Sequence, residues 1–201
     1  MNKLTEQDIS RLSEFVTDCY FEYPYCHKAV SILIIDYNYQ QYSDLLFSFA
    51  NISMPDSIRQ SYPKRRIEFF AGRLVASWHL LKRFGCNDEI IIHQDRSPVW
   101  LLGIIGSLSH TNQNAVCLLA PKSDVSLLGV DIENIMSTKI AMDTKELILT
   151  PDEEWLFSAN NFALEELTTI AFSAKESLFK ALYPKVFSGI LNLATELEVI
   201  L

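Results

Sequence analysis

The spacing of apolar residues changes several times along this chain. Ala29-Val-Ser-Ile-Leu-Ile-Ile-Asp36 is a short β-branched run, the pattern of a strand. After Pro63, the residues Ile67, Phe70, Ala71, Leu74, Val75, Trp78 and Leu81 recur at three- and four-residue spacing. That predicts a helix with one apolar stripe, ended by Gly85. Glu89–His93 reads as a strand, followed by a loop from Gln94 to Gly103 broken at Pro98. Ile104–His110 and Ala115–Ala120 read as strands joined by the polar turn Thr111-Asn-Gln-Asn114, and Val125–Ile132 as another. Three consecutive strands predict an antiparallel meander. Thr150-Pro151-Asp152-Glu153 is a helix start: a hydroxyl N-cap, proline at the first position, acids in the first turn. A longer helix is expected from Leu164 to Tyr183, halted by Pro184, with Leu167, Ile170, Ala171, Ala174, Leu178 and Leu182 as its core stripe. No repeat is visible, and the N-terminal segment to Gln60 carries no chemical motif.

Composition narrows the class. The 201 residues suffice for one domain or two small lobes sharing a core, with 49% hydrophobic and 21% charged residues. The net charge of -8 is uneven: 11 Lys+Arg against 12 Asp+Glu in residues 1–100, and 6 against 13 in the remainder. Such acidity argues against non-specific nucleic-acid binding, which depends on phosphate contacts. Lys64, Arg65, Arg66, Arg73, Lys82 and Arg83 nevertheless cluster in one segment, so a local anion site fits inside an acidic protein. Cys19, Cys26, Cys86 and Cys117 form no CxxC pair and no zinc spacing. The polar start and the short apolar runs predict no signal peptide and no transmembrane segment, and a cytoplasmic, reducing setting is expected.

Four constellations carry candidate chemistry, and each has a plainer reading beside it. In Gly129-Val-Asp131-Ile-Glu133, a strand would put both carboxylates on one face. Adjacent carboxylates repel unless a cation or proton lies between them, and hard oxygen donors suit Mg²⁺; the plain reading is a solvated strand face. In Phe172-Ser-Ala-Lys175-Glu176-Ser-Leu-Phe-Lys180, Glu176 and Lys180 lie one turn apart, either as a surface ion pair or as a third acid and a phosphate-binding cation. Gly106-Ser-Leu-Ser109-His110 ends a strand with a hydroxyl and an imidazole that can hold phosphate oxygens, or is a turn with an exposed histidine. Arg65, Arg73 and Arg96 offer forked donors for phosphate, or belong to a solvated face.

The order of these signals is more specific than any one of them. Arg65-x-x-Glu68-Phe69-x-x-Gly72-Arg73 is followed by Arg96-x-Pro98-x-Trp100-x-x-Gly103-x-x-Gly106-Ser107-x-Ser109-His110, then Gly129-Val-Asp131-Ile-Glu133, then Phe172-Ser-Ala-Lys175-Glu176-Ser-x-Phe179-Lys180. From about Arg65 to Pro184 the chain resembles the 4'-phosphopantetheinyl transferases. Within them it is similar to the enterobactin-synthase component D type, which activates siderophore-making nonribosomal peptide synthetases.

The resemblance implies an α+β fold of two similar α/β lobes forming a pseudo-dimer, here about residues 1–120 and 121–201, with the cofactor site between them. It implies coenzyme A as donor, an apo carrier domain as acceptor, Mg²⁺ as cofactor and a monomer. Arg73, with Arg65 and Arg96, would hold the adenosine 3'-phosphate side of coenzyme A, while Ser109 and His110 would contact its phosphates. Asp131, Glu133 and Glu176 would bind Mg²⁺. Glu176 would instead, or also, serve as proton acceptor, and Lys175 and Lys180 would neutralise the pyrophosphate. Two departures stand out. Leu101 replaces the proline usual after the motif tryptophan, and the chain ends at Leu201, where relatives continue with further strands, so a shortened second lobe is expected. Two alternatives stay open: a Mg²⁺-dependent phosphohydrolase using the same carboxylates, and a non-catalytic relative that binds coenzyme A or a carrier.

Overall fold

The computed structural model describes residues 6–24, 27–93, 97–158 and 161–187. Helix α1 (Glu6–Phe15) leads directly into strand β1 (Val16–Glu22), which pairs with β2 (Ser31–Tyr37). A 3-10 turn at Tyr39–Gln41 and two short helices, α2 (Leu45–Phe49) and α3 (Asp56–Arg59), precede the long helix α4 (Pro63–Phe84). Strands β3 (Ile104–His110) and β4 (Asn114–Pro121) follow, then helices α5 (Thr138–Ile148), α6 (Pro151–Ser158) and α7 (Leu164–Phe187). The four strands form one antiparallel sheet in the order β1-β2-β4-β3. Among the described residues, no helix is long and apolar enough to cross a membrane.

Alternation along the strands divides the sheet into two faces. Leu33, Ile35, Tyr37, Ile104, Ala115, Cys117 and Leu119 pack with Phe70, Leu74, Val75 and Leu80 of α4 in the main core. Ile32, Ile105, Leu118 and Ala120 face the other way, onto Val125, Leu128 and Val130. Central strand β4 is therefore buried on both sides. The Val125–Ile132 segment, expected as a strand, has no ladder: it lies over the sheet as a cover. Its apolar residues at 125, 128 and 130 do not alternate, and the Val130 N–H is satisfied by the Ser107 hydroxyl at 3.0 Å. The expected meander is thus replaced by a β3–β4 hairpin whose second strand pairs with β2.

Pro63 at the first helical turn and Gly85 at φ +68 bound α4 as its sequence predicts. Its stripe is wider than expected, since Phe69, Arg73 and His79 are also buried, whereas Leu81 is 51% exposed. The segment Glu89–His93 makes only a bridge, Ile92 with Pro98, flanked by two backbone hydrogen bonds to residues 97 and 99. Pro98 has no N–H to extend that pairing. Helix α7 passes Pro184 rather than stopping there. So near a helix end, proline costs one backbone hydrogen bond, to the Lys180 carbonyl, without terminating the helix. Only Leu167 and Ala171 of its predicted stripe are buried, joined by Leu149 and flanked by Thr168 and Thr169. At the start of α6, Thr150 and Glu153 form the reciprocal capping box, with N–H to side-chain oxygen distances of 2.8 and 3.3 Å.

His79 is fully buried under the sheet, with Nε2 2.8 Å from the Ser31 hydroxyl. Burial pushes its pKa down to about 4, opposed by the Cys117 backbone and reinforced by Arg83. The imidazole is therefore neutral when folded, whereas the unfolded chain takes up a proton near pH 6.5. This contribution is complete above pH 6.5 and is lost as pH falls towards 4, amounting to about 3 kcal/mol. Urea unfolding between pH 7 and 5 should show a decline in stability that His79→Gln flattens; an unchanged slope would contradict this account.

Candidate active site

The end of β3 sends adjacent side chains to opposite faces. Ser107 and Ser109 are buried on the side of the covering segment, and His110 points towards α4. Ser109 Oγ donates to Asp131 Oδ1 at 2.8 Å. The Lys180 ammonium, from α7, donates to the same Asp131 oxygen at 2.5 Å and to Ser109 Oγ at 3.0 Å. A strand, a covering segment and the last long helix thus meet at three side chains. The Asp131 carboxylate is 4% exposed and Lys180 29%, so the pair is screened from water on the acid's side and open on the ammonium's.

Glu133 is exposed and does not share a strand face with Asp131, because no strand forms there. The two acids remain electrostatic neighbours. Desolvation, and then Asp131, raise the Glu133 pKa; Lys180 lowers it, and Glu176, one turn before Lys180, raises it further. Among the described residues no three acid, His or Cys side chains converge as a metal cage, and Lys180 occupies Asp131 Oδ1. The donor set still suits a hard divalent cation. Asp131 Oδ2 is buried without a hydrogen-bond partner, and Asp131 and Glu176 both add to the cost of ionising Glu133, a charge that a cation would offset.

The basic residues divide between two places. Arg65 is exposed and influences both His110 and Arg73. Arg73 is buried, its guanidinium carbon 5.0 Å from the Phe69 ring centre, with Nη1 lacking a partner. Burial lowers its pKa to about 10; Glu89 opposes the shift. Arg73 lines a cavity of about 420 Å³ with Asn51, Ser53, Ser77, Asn87 and Glu89. Ser53 fixes Glu89 there, its N–H and hydroxyl donating to the carboxylate at 2.8 and 3.0 Å. No sequence motif marks this wall, which joins Ser77 of α4 to the segment after α2 and to the residues around Glu89, expected as a strand. Arg96 lies outside the described residues.

Known proteins resemble this chain over much of its length. Residues 55–120 match the 4'-phosphopantetheinyl transferase N-terminal domain family, and residues 127–199 match the 4'-phosphopantetheinyl transferase superfamily. The chain is 32% identical over 167 residues to enterobactin synthase component D of Salmonella typhi, an alignment covering 83% of this chain and 68% of the relative. It is 35% identical over 129 residues to the protein of that name from Escherichia coli O157:H7, covering 64% and 60%. The 4'-phosphopantetheinyl transferase Npt of Nocardia iowensis is 30% identical over 128 residues, covering 63% and 56%. The chain belongs to the 4'-phosphopantetheinyl transferase superfamily. It is a transferase enzyme, and movement of a phosphopantetheine group is its chemistry.

Two features of this phosphopantetheinyl transferase were hidden in its motifs. Lys175, grouped with Lys180 by sequence, is not brought to the Asp131 cluster. Its ammonium donates to the Ile148 carbonyl at the end of α5 and to Glu153 of α6 at 2.8 Å. It ties α5 and α6 to α7, a neighbouring bond being the Lys145–Glu154 pair at 3.5 Å. Gly129 lies directly against α7: a Cβ there would overlap the Ser177 carbonyl and come within 2.9 Å of the Ala181 nitrogen. The glycine is legible in the sequence, but the helix it touches is 48 residues away.

Proposed function

We propose that this protein transfers 4'-phosphopantetheine from coenzyme A to a serine of an apo carrier domain, releasing adenosine 3',5'-bisphosphate, in a Mg²⁺-dependent reaction. The observation that carries the reading is the convergence of Ser109, Asp131 and Lys180, with His110, Glu133 and Glu176 within electrostatic reach. The name enterobactin synthase component D, borne by several relatives, supports a siderophore nonribosomal peptide synthetase as the source of the carrier. The separate matches to residues 55–120 and 127–199 support two lobes dividing near residue 120.

The donor's phosphates lie against Ser109, His110 and Lys180. The buried Arg73, with its unpartnered donor and adjoining cavity, takes the 3'-phosphate side, helped by Arg65 and Arg96. Asp131, Glu133 and Glu176 are the residues that would hold Mg²⁺. When bound, the ion supplies charge neutralisation on the diphosphate that is being split. The carrier serine oxygen forms a bond to the phosphorus bearing the pantetheine arm. The bond from that phosphorus to the oxygen of the departing nucleotide breaks. A Glu176 carboxylate oxygen accepts the serine proton. Lys180 keeps a fixed positive charge beside the leaving group. Lys175 serves this arrangement by fixing the α7 surface rather than by touching phosphate.

The test is direct. The purified protein, coenzyme A, MgCl₂ and an apo peptidyl or aryl carrier domain are mixed, and the carrier is weighed by intact mass spectrometry. A gain of one phosphopantetheine that disappears with EDTA is expected. No gain across several carriers, with coenzyme A still bound, would overturn the proposal.

A further inference from the structure

The stretch that carries Asp131 and Glu133 is neither helix nor strand, so no ladder takes up its backbone N–H groups. Two of them go instead to buried hydroxyls, one at each end of the stretch. The Val130 N–H donates to Ser107 Oγ of β3 at 3.0 Å, and the Met136 N–H donates to Thr169 Oγ1 of α7 at 2.9 Å. Ser107 is 5% exposed and Thr169 4%. The Thr169 hydroxyl gives its own hydrogen to the Glu165 carbonyl, one turn back, at 2.6 Å, so what it offers Met136 is a lone pair. A third contact, Asn134 Nδ2 to Asn112 Oδ1 at 3.0 Å, is exposed and competes with water.

We propose that Ser107 and Thr169 are positioning residues for the acid pair: two hydroxyl acceptors, on β3 and α7, hold the ends of residues 130–136 and so fix where Asp131 and Glu133 stand beside Lys180. The proposal rests on the phosphopantetheinyl-transfer reading of this site. The geometry gives each hydroxyl one end. Ser107 and Ser109 lie two apart on one face of β3. The first takes the backbone N–H of Val130, and the second donates to the carboxylate of the next residue, Asp131, at 2.8 Å. At the other end, Thr169, Glu176 and Lys180 fall at i, i+7 and i+11, one face of α7. The bond from Met136 therefore docks the acidic stretch on the same helix face that presents Glu176 and Lys180. Glu133, midway between the two bonds, has no strand to hold its backbone and depends on both.

Thr169→Val keeps the shape and removes the acceptor, and Thr169→Ser keeps the acceptor. Thr168→Val is the control, since Thr168 is fully buried and bonds the Leu164 carbonyl in the same way, at 2.8 Å. Ser107→Ala removes the acceptor on β3. Amide exchange is followed by NMR on the free, full-length protein. Met136 should exchange about tenfold faster in Thr169→Val, and Val130 about tenfold faster in Ser107→Ala. With coenzyme A, Mg²⁺ and carrier saturating, well below each denaturation midpoint, kcat should fall about tenfold in Thr169→Val, largely recover in Thr169→Ser and stay within about twofold in Thr168→Val. Ser107→Ala should cost about tenfold in the parent but less than about twofold in an Asp131→Asn background. Unmoved exchange, faster exchange with kcat unchanged, or an equal loss in Thr168→Val would overturn the proposal. Exchange is read without coenzyme A, metal or carrier, so a wild-type protein that fails to modify carriers counts against the proposed function and leaves the two hydroxyl bonds to be decided by the exchange rates.

Discussion

Asp131→Asn should lower the rate of carrier modification about 10³-fold at saturating coenzyme A and Mg²⁺, while leaving the protein folded. The carboxylate is 4% exposed, bonded at 2.5 Å to Lys180 and at 2.8 Å to Ser109, with its second oxygen unpartnered. Asparagine preserves the outline and removes the charge on which both the lysine and a divalent cation depend. Lys180 is 29% exposed and recovers hydration when it loses its partner, so the stability cost should stay at about 1–2 kcal/mol. The result is read as kcat together with the denaturation midpoint. A folded variant turning over within tenfold of the parent would remove Asp131 from the metal assignment.

Gly129→Ala should be the most damaging of the small substitutions. The added methyl meets the Ser177 carbonyl and the Ala181 nitrogen, both backbone atoms of α7 that cannot rotate away. Either the covering segment or the helix must shift. Asp131 is two residues from the glycine and Lys180 is next to Ala181, so any shift separates the two charges. A loss of about 3 kcal/mol is expected, with a rate reduction of about 10²-fold from misplacement alone. Gly106→Ala is the internal comparison. Its Cβ would crowd the Trp100 ring at 2.6 Å and Leu119 at 2.7 Å, which are side chains and have some room to adjust. A Gly129→Ala protein with parental turnover would show that the covering segment and α7 need not be in register.

The chain announces its local structure well and its assembly poorly. Helix α4 was legible because proline and glycine punctuate it, and the β3–β4 hairpin because a polar turn separates two apolar runs. The Val125–Ile132 run was misread because an apolar segment that covers a sheet and one that joins it have similar composition. β1 was missed because it is an edge strand with mostly exposed residues and no alternation to detect. The acids at the site were visible as a motif. Their arrangement was not, since Lys180 reaches Ser109 across 71 positions and nothing local distinguishes it from Lys175, which turns to α5 and α6 instead.

The sheet order also bears on how the protein is made. Strand β2 is paired on one side by β1, which precedes it, and on the other by β4, with Ser31 opposite Leu119. At ribosomal speeds the intervening chain takes about ten seconds to emerge. For that interval the second edge of β2 has no strand beside it, and β1 and β2 by themselves are a two-stranded ribbon, a structure of marginal stability in water. The order in which the segments leave the ribosome thus makes completion of the sheet wait for β4, long after the strand it pairs with has been made.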